Sequence, residues 1–415
     1  MKNNKRVVVT GMGIISPIGN SIDEFWKNVM VGNHGFVYND RVDVSEHQSK
    51  YAALVKNFKA TEYMTFKQAQ RMDLFSAYAV SAAKQAVTSS GLDLTSVDLE
   101  RCGVSIGSGI GGLSSIENET IKLNNDGANR IATLYVPFVI SNMASANVAI
   151  HFGFKGNCIN PVVACASGTY AIGDAYRAIM NGDVDVMIAG GTEAAITPTS
   201  LAGFAKLHTL SEADDTDRAM IPFDKDRGGF VIGEGAGVVL LEDYDFAVSR
   251  GANILAEIVG YGVTCDAHHI VTPKENGEGI AKAMRLAIEE AGISENDVEY
   301  INAHGTATVL NDLCETRAIK NVFGEHAHSL YINSTKSMTG HMIGASGAVE
   351  FIATVKQIQE RFIHKTVGLQ NPDEELGLNY MQNAKSDVDI NYALSNSMGF
   401  GGHNGSVLIK RFVLE

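Results

Sequence analysis

Short apolar runs alternate with longer amphipathic or small-residue segments along most of the chain, a pattern typical of α/β proteins. Strands are predicted at residues 6–10, 184–189, 237–241, 254–259 and 298–302. Helices are predicted at residues 22–29, 71–89, 167–180 and from 345 to about 359. Residues 11–19 are punctuated by glycine and are predicted to form a loop, and residues 35–61 lack periodicity and are expected to wander over the surface.

A weak internal repeat predicts that the chain consists of two similar α/β halves. Residues 82–98 match residues 283–299, and each segment reads as a helix, a glycine stop and a strand. The three residues that open the predicted helix after Cys165, 166–168, also resemble residues 345–347. We therefore expect an N-terminal half over residues 1–250 and a C-terminal half over residues 251–415, joined near residues 248–253 without a flexible linker.

Cys165 is the leading candidate nucleophile because it lies at a predicted strand-to-helix turn. Residues 161–164 are predicted to form a short buried strand, and Asn181-Gly182 ends the helix that follows. A thiol at a helix N-terminus meets unpaired backbone N–H groups and the positive end of the helix dipole, both of which favour the thiolate. A buried, inert cysteine is the alternative that this pattern alone leaves open.

Two glycine-rich motifs in residues 103–112 point to other chemistries. Residues 103–107 fit the G-x-S-x-G nucleophile elbow, and residues 107–112 fit the G-x-G-x-x-G dinucleotide loop. Ser105 falls inside the predicted strand, however, and no βαβ unit with a ribose-binding acid follows. Close backbone packing is the preferred interpretation of these glycines.

Composition excludes several classes of protein. The 415 residues are 45% hydrophobic, which rules out a disordered chain, and the net charge of -14 disfavours nucleic acid as a partner. Five scattered cysteines without a C-x-x-C pair argue against a disulfide framework and against a structural zinc site. No apolar run approaches the ~18 residues of a membrane span, and the basic N-terminus leads directly into a strand, so a cytoplasmic protein that spans no membrane is expected.

Two histidines lie in glycine-rich loops at predicted strand ends, in the half of the chain opposite Cys165. His304 lies in the stretch AHGTAT, and Lys336 and His341 lie five residues apart in residues 333–344. A further glycine-rich turn spans residues 396–405. A single histidine is more often structural, but two in such loops indicate a catalytic site.

Taken in order along the chain, these motifs resemble those of the β-ketoacyl-acyl carrier protein synthases, most closely the type II elongating enzymes. The motifs are ACASG, NAHGTAT, KSMTGHMIGASG and NSMGFGG, and the resemblance covers almost the whole chain. It implies a thiolase-like fold, in which duplicated βαβαβαββ halves form a five-layer αβαβα arrangement, and it implies a homodimer.

The resemblance also implies a reaction in two stages. Cys165 accepts an acyl group from acyl carrier protein, and malonyl-acyl carrier protein then loses CO₂ and attacks the thioester. The backbone N–H groups of Cys165 and Phe400 would form an oxyanion hole, and His304 and His341 would bind the malonyl thioester oxygen. Lys336 and Glu315 would hold the histidine pair, and Phe400 would gate the cysteine.

Substrate and partner contacts are implied in the same way. Thr306 and Thr308 would receive the phosphopantetheine arm, and Ile110 and Phe204 would bind the acyl chain. Lys67, Arg71 and Lys206 match basic positions that face the acidic carrier protein. No metal and no cofactor other than the carrier-bound phosphopantetheine are implied.

The alternatives are distinguished by single features. A degradative thiolase needs a second active-site cysteine near the C-terminus, where this chain has none beyond Cys314. An initiating synthase would have asparagine in place of His341, and a non-catalytic chain-length partner would lack Cys165. A nicotinamide oxidoreductase built on residues 107–112 is the rival from another class. Residues 309–311 and 266–269 depart from the common family pattern, which affects substrate and partner details more than the reaction.

Overall fold

The computed structural model describes residues 5–413, in which strands and helices alternate. The strands are β1 (Val7–Ile15), β2 (Phe36–Tyr38), β3 (Tyr51–Ala53), β4 (Cys102–Gly107), β5 (Cys158–Ile159), β6 (Val186–Glu193), β7 (Gly235–Asp243), β8 (Ala256–Cys265), β9 (Tyr300–Asn302), β10 (Tyr331–Asn333), β11 (Phe362–Ile363), β12 (Lys385–Ser386), β13 (Tyr392–Gly399) and β14 (His403–Lys410). The helices are α1 (Ile22–Val31), α2 (Phe66–Ala69), α3 (Leu74–Ser90), α4 (Leu113–Asp126), α5 (Tyr135–Val139), α6 (Met143–Phe152), α7 (Ser167–Met180), α8 (Pro198–Lys206), α9 (Tyr244–Ser249), α10 (Glu278–Ala291), α11 (Val309–Phe323), α12 (Lys336–Thr339) and α13 (Ser346–Glu360).

Ten strands form two copies of one five-stranded pattern. The hydrogen-bonded order is β10-β9-β13-β14-β8-β1-β7-β6-β4-β5. Numbered within its own half, each set of five strands has the order 3-2-4-5-1, and in each the fifth strand is antiparallel to its two neighbours. The halves meet where β1 pairs with β8 over three residue pairs. The duplication predicted from the sequence is therefore present in the strand topology.

Helices cover both faces of each half and complete five layers. α3 and α6 pack on the outer face of the first half, and α10 packs on the outer face of the second. α7 contacts β4 and β6 of the first half and β14 of the second, and α13 contacts β7 of the first half and β13 of the second. These two helices therefore form the central layer between the halves, in the predicted αβαβα arrangement.

Glycine lets the two central helices approach closely at their first turns. A Cβ atom added at Gly168 of α7 would lie 2.9 Å from the carbonyl oxygen of Gly344, and one added at Gly347 of α13 would lie 2.1 Å from Thr169 Oγ1. Larger side chains at these positions would push the helices apart. The close contact brings the turn before α7, which contains Cys165, against the turn before α13.

The predicted helices agree with the structure, whereas four predictions for extended or irregular segments are wrong. Residues 92–98, predicted to form the strand of the repeated segment 82–98, contain no strand, and β4 begins only at Cys102. β1 continues to Ile15 through the predicted loop, and the predicted irregular segment 35–61 contains the hairpin of β2 and β3. Residues 161–164 form no strand, because Ala164 adopts a φ of 51° and turns the chain into α7. Among residues 5–413, no helix is both long enough and apolar enough to cross a membrane.

The glycines of β1 are explained by helix packing rather than by a loop. A Cβ atom at Gly13 would lie 2.0 Å from the carbonyl oxygen of Ala82 in α3. We therefore expect Gly13→Ala to lower the free energy of unfolding by about 1–3 kcal/mol, because α3 must move off the sheet. Urea denaturation followed by circular dichroism would measure this change.

Gly203→Ala is the matched control for Gly13→Ala, because nothing lies within 4 Å of a Cβ atom at Gly203 in α8. Alanine there should leave stability within ~1 kcal/mol of the wild type. Equal stability of the two variants would contradict the packing explanation.

Candidate active site

A cavity of about 330 Å³ collects most of the residues expected to act on substrate. The site residues expected from the sequence that line this cavity are Cys165, Phe204, His304, Thr306, Thr308, His341 and Phe400. Lys336 and Glu315 are fully buried outside this lining. Ile110 is also outside it, and packs half-buried against the hydrophobic cluster that contains Cys165.

Cys165 lies in a short 3₁₀ turn, Ala164–Ala166, that leads directly into α7. Ser167 Oγ holds this turn, because it accepts a hydrogen bond from the N–H of Val163 at 3.0 Å and donates one to the carbonyl of Ala164 at 2.7 Å. The cysteine is only 7% exposed. Its position at the N-terminus of a buried helix agrees with the sequence prediction.

The protonation state of Cys165 differs from the thiolate that the helix terminus predicts. Burial raises the pKa of the thiol to about 12, and the positive charge of Lys336 acts in the opposite direction. Desolvation disfavours the charged form of any thiol removed from water. Burial therefore favours the neutral thiol in the free site, and the thiol must lose its proton as it reacts.

The turn between β13 and β14 lies directly against the backbone of Cys165. A Cβ atom at Gly399 would be 3.3 Å from the backbone nitrogen of Cys165 and 2.6 Å from the carbonyl oxygen of Val163. Phe400 follows at the tip of the turn, and its ring centroid is 6.4 Å from that of Phe204. A side chain at position 399 would collide with the carbonyl oxygen of Val163, so glycine is needed for this end of β13 to lie against the turn of Cys165.

The side chain and backbone of His304 are held by two charged residues. Lys336 Nζ donates to His304 Nδ1 at 3.2 Å and to the His304 carbonyl at 2.5 Å. Because an ammonium group can only donate, Nδ1 is an acceptor and the ring proton is assigned to Nε2. Glu315 accepts hydrogen bonds from the backbone N–H groups of His304 at 2.8 Å and Gly305 at 2.9 Å.

His341 is oriented by the first residue of α13. Its Nδ1 lies 3.0 Å from Ser346 Oγ, which already accepts the N–H of Met342 at 2.8 Å. The hydroxyl keeps its own proton free to donate to Nδ1, and in this arrangement the proton of His341 lies on Nε2. The two imidazole rings stand at 85° with their centroids 5.5 Å apart.

Burial favours the neutral form of both histidines. Burial lowers the pKa of His304 and of His341 well below the usual value, and the charge of Lys336 acts in the same direction. Neutral rings protonated on Nε2 remain hydrogen-bond donors. The site therefore offers two N–H donors without a net charge on either ring.

The carboxylate that pairs with Lys336 is Glu350, which sequence reasoning missed. Glu350 Oε1 lies 2.6 Å from Lys336 Nζ, and both side chains are buried. Burial raises the pKa of Glu350, while Lys336 acts to lower it. Glu315, expected to help hold the histidines, binds the backbone N–H groups of His304 and Gly305 and does not pair with Lys336 in a salt bridge. A single acid within the otherwise uncharged residues 346–355 was the available signal for Glu350.

The remaining predicted residues lie around the cavity mouth or away from it. The hydroxyls of Thr306 and Thr308 are 2.9 Å apart on the cavity wall. Lys206 ends α8 and is exposed next to Leu207, which lines the cavity. Lys67 and Arg71 are exposed on and just after α2, outside the cavity lining. Within residues 5–413, no group of three or more His, Cys, Asp or Glu residues could hold a metal ion.

Duplicated α/β halves in five layers, with a buried cysteine and two histidines at one cavity between them, define the thiolase-like class of fold. Residues 4–247 match the N-terminal domain of beta-ketoacyl synthases, and residues 255–370 match the C-terminal domain. The chain therefore belongs to the β-ketoacyl synthase family, and it is an enzyme of the acyltransferase class.

Named relatives and solved structures agree over nearly the whole chain. The 3-oxoacyl-[acyl-carrier-protein] synthase 2 of Staphylococcus aureus strain COL is 46% identical over 412 residues, which cover 99% of this chain and 100% of the relative. The protein of the same name from Synechocystis sp. is 46% identical over 411 residues, 98% of each chain.

Two solved structures have the same fold. A beta-ketoacyl synthase from Burkholderia phymatum STM815 superimposes with a TM-score of 0.91 at 32% identity, over 99% of this chain and 100% of the other. The same values describe a ketosynthase solved with its type II PKS acyl-carrier protein and a bound hexaketide.

The ion pair of Lys336 and Glu350 generates a prediction for stability. We expect Glu350→Gln to lower the free energy of unfolding by about 3–5 kcal/mol, because it leaves the Lys336 charge buried without a carboxylate. The double variant Lys336→Met/Glu350→Gln should be less destabilised than the single variant, because the unpaired charge is gone. Chemical denaturation would measure both changes.

Glu360→Gln is the control on the same helix, because Glu360 forms an exposed pair with Lys356. That substitution should change stability by less than ~1 kcal/mol. If Glu350→Gln were equally mild, the buried pair would not support the site as described.

Proposed function

We propose that this protein elongates acyl chains in fatty-acid synthesis by decarboxylative Claisen condensation. An acyl group carried on Cys165 is joined to malonyl-acyl carrier protein, which gives CO₂ and a β-ketoacyl-acyl carrier protein two carbons longer. The single observation that carries the proposal is that Cys165, His304 and His341 face one cavity. The names of the relatives that are 46% identical over the full chain support the same reaction and carrier.

In the first half-reaction, Cys165 Sγ attacks the carbonyl carbon of the incoming thioester. The new bond to Sγ forms while the bond to the phosphopantetheine sulfur breaks, and the thiol proton leaves with that sulfur. The oxyanion is stabilised by the backbone N–H groups of Cys165 and Phe400. The close approach of Gly399 to the Cys165 nitrogen supports this pairing.

In the second half-reaction, the malonyl group loses CO₂ and its electrons move onto the thioester oxygen as an enolate. The Nε2 protons of His304 and His341 bind this oxygen, with Lys336 positioning the first ring and Ser346 the second. The enolate carbon then attacks the acyl thioester, the bond to Cys165 Sγ breaks, and the released thiolate takes up one proton from solvent. Neutral donors suit a step in which negative charge appears only transiently.

Substrates arrive on the phosphopantetheine arm of acyl carrier protein, and no other cofactor or metal enters the scheme. Thr306 and Thr308 bind the arm, Phe204 and Ile110 bind the acyl chain, and Phe400 gates the cysteine. Lys206 at the cavity mouth, with Lys67 and Arg71, docks the acidic carrier. Local basic residues are needed for this because the chain as a whole carries a net charge of -14.

We also propose a homodimer in the cytoplasm. The edge strand β5 of the large sheet, together with exposed apolar side chains, supports a partner on this side of the molecule. The exposed side chains are Val136, Ile140, Ile150 and Val162. The five free thiols are consistent with a reducing compartment.

The first test of the function is the site of acylation. After incubation with acyl-acyl carrier proteins of different chain lengths, mass spectrometry should find one acyl adduct on Cys165, and Cys165→Ala should carry none. Addition of malonyl-acyl carrier protein should release CO₂ and a product two carbons longer. An adduct on Cys102, Cys158, Cys265 or Cys314 instead would contradict the assignment.

The second test separates the two half-reactions. His304→Ala or His341→Ala should keep measurable acylation of Cys165, because acyl transfer relies on backbone donors. Either variant should slow malonyl decarboxylation by about 10²–10³-fold, which is the usual effect of removing one oxyanion donor. Radiolabelled acyl-enzyme and released CO₂ are measured in parallel.

The exposed His328, which lies in a turn after α11, provides the control variant His328→Ala. That variant should keep both half-reactions. If a variant at position 304 or 341 lost acylation as fully as Cys165→Ala and still released CO₂ normally, the histidine would serve the thiol instead of the enolate.

A further inference from the structure

Glu193, the last residue of β6, places a fully buried carboxylate beside the active site. Its Oε2 accepts the backbone N–H groups of Gly109 at 2.8 Å and Gly344 at 3.1 Å. Its Oε1 accepts the Ser108 hydroxyl at 3.1 Å and the N–H of Ile110 at 3.3 Å. All four neighbours donate, so the ionised carboxylate is the form that fits this site.

These donors come from two separate segments of the active site. Residues 108–112, named here the acyl loop, connect β4 to α4 and carry Ile110. Gly344 belongs to the turn Ile343–Ala345, which separates His341 from Ser346, the residue that orients the His341 ring. Glu193 therefore joins the loop assigned to the acyl chain to the turn that supports the malonyl site.

The turn that holds Cys165 meets the same point. A Cβ atom at Gly109 would lie 2.9 Å from Ile343 Cγ2, 3.0 Å from Glu193 Oε2 and 3.3 Å from the carbonyl oxygen of Ala164. Contacts this close leave no room for another side chain. Glu193 Oε2 joins the two segments directly, because this one oxygen accepts a hydrogen bond from Gly109 in the acyl loop and another from Gly344 in the turn after His341.

We propose that Glu193 is a positioning residue for the condensation, and that it sets the acyl loop against the His341 turn by these four hydrogen bonds. The proposal rests on the function proposed above. Glu193 does not touch the reacting atoms. It acts through Ile110 on one side and through the turn preceding Ser346 on the other, so that the acyl thioester and the malonyl enolate meet in the correct relative position.

The expected loss of rate follows from how closely the reacting groups must be positioned. A displacement of about 1 Å between reacting groups can cost about 10²-fold in rate. The residues proposed to dock the carrier protein are exposed, whereas Glu193 is fully buried. Loss of the carboxylate should therefore lower kcat and leave KM for the acyl carrier protein nearly unchanged.

Two substitutions separate hydrogen bonding from charge. Glu193→Ala removes all four acceptors. Glu193→Gln keeps a carbonyl oxygen for Gly109 and Gly344, and its NH₂ group can donate to Ser108 Oγ, which already accepts the N–H of Gly111 at 3.1 Å. The Ser108 O–H and the Ile110 N–H lose their acceptor, but both bonds on the other oxygen remain and the NH₂ group replaces the bond to Ser108, so glutamine should rescue most of the function that alanine removes.

The experiment combines amide exchange with kinetics at pH 8. Burial raises the pKa of Glu193 to about 7, so the wild-type carboxyl is mostly ionised under these conditions. Hydrogen exchange is followed in peptides that cover residues 107–112 and 341–346. Kinetics are measured with acyl and malonyl carrier proteins, in wild type, Glu193→Gln and Glu193→Ala.

We expect Glu193→Ala to accelerate exchange in both peptides and to lower kcat about 10²-fold at constant KM. In Glu193→Gln, both peptides should exchange about as slowly as in the wild type, and kcat should stay within about tenfold of the wild-type value. The proposal is overturned if alanine leaves exchange and kcat unchanged, if its effect falls only on KM, or if glutamine is as impaired as alanine.

A second variant, Ser108→Ala, tests the proposal if Glu193→Ala does not fold. Ser108→Ala removes one donor to Glu193 and the acceptor of Gly111, and should accelerate exchange in residues 107–112 alone. Unchanged exchange in this variant would also overturn the proposal. Because exchange needs no turnover, a wild-type enzyme that failed to condense acyl chains would refute the proposed reaction while the exchange data still decided whether Glu193 joins the two segments.

Discussion

The close approach of the central helices α7 and α13 is the constraint on which the rest of the site depends. Gly168 and Gly347 leave no side chain between the helix starts, so the turns that precede the helices come into contact. One turn carries Cys165, and the other follows His341 directly. A nucleophile from one half of the chain and a hydrogen-bond donor from the other are thereby brought into one cavity without any flexible segment between the halves.

Burial then decides the charge state of each group in that cavity. Removal from water favours neutral imidazoles and a neutral thiol, and the buried charge of Lys336 is compensated by Glu350. The same lysine fixes the tautomer of His304, because an ammonium group can only donate to Nδ1. One ion pair therefore sets both the orientation of the ring and the identity of its donor nitrogen.

The sequence predicted the helices, the duplication and the grouping of motifs well, because helix period, glycine stops and repeated patterns are local signals. Prediction from the sequence failed where one residue type can have two structural roles. Gly13 was read as part of a loop, yet it lies in β1 and is glycine because α3 packs onto it. The raised pKa of Cys165 and its cause were also out of reach, since burial is a property of the folded chain.

The carboxylate partner of Lys336 is a feature for which the sequence offers no prediction. Glu315 and Glu350 are both buried acids in helices, and no local pattern shows that Glu315 faces backbone N–H groups while Glu350 faces an ammonium group. That distinction depends on how α11 and α13 pack around the loop of His304. Residue pairing between distant segments is decided by tertiary contacts, which a single sequence does not reveal.

Buried carboxylates also explain how a site made of loops remains rigid. Glycine-rich turns expose backbone N–H groups that no strand or helix satisfies, and such groups are costly when buried. A carboxylate can accept several of them at once, and Glu315 accepts two next to His304 while Glu193 accepts three from two different segments. Each acid therefore replaces the hydrogen bonds that regular secondary structure would have made, and holds a catalytic loop where glycine alone would leave it free to move.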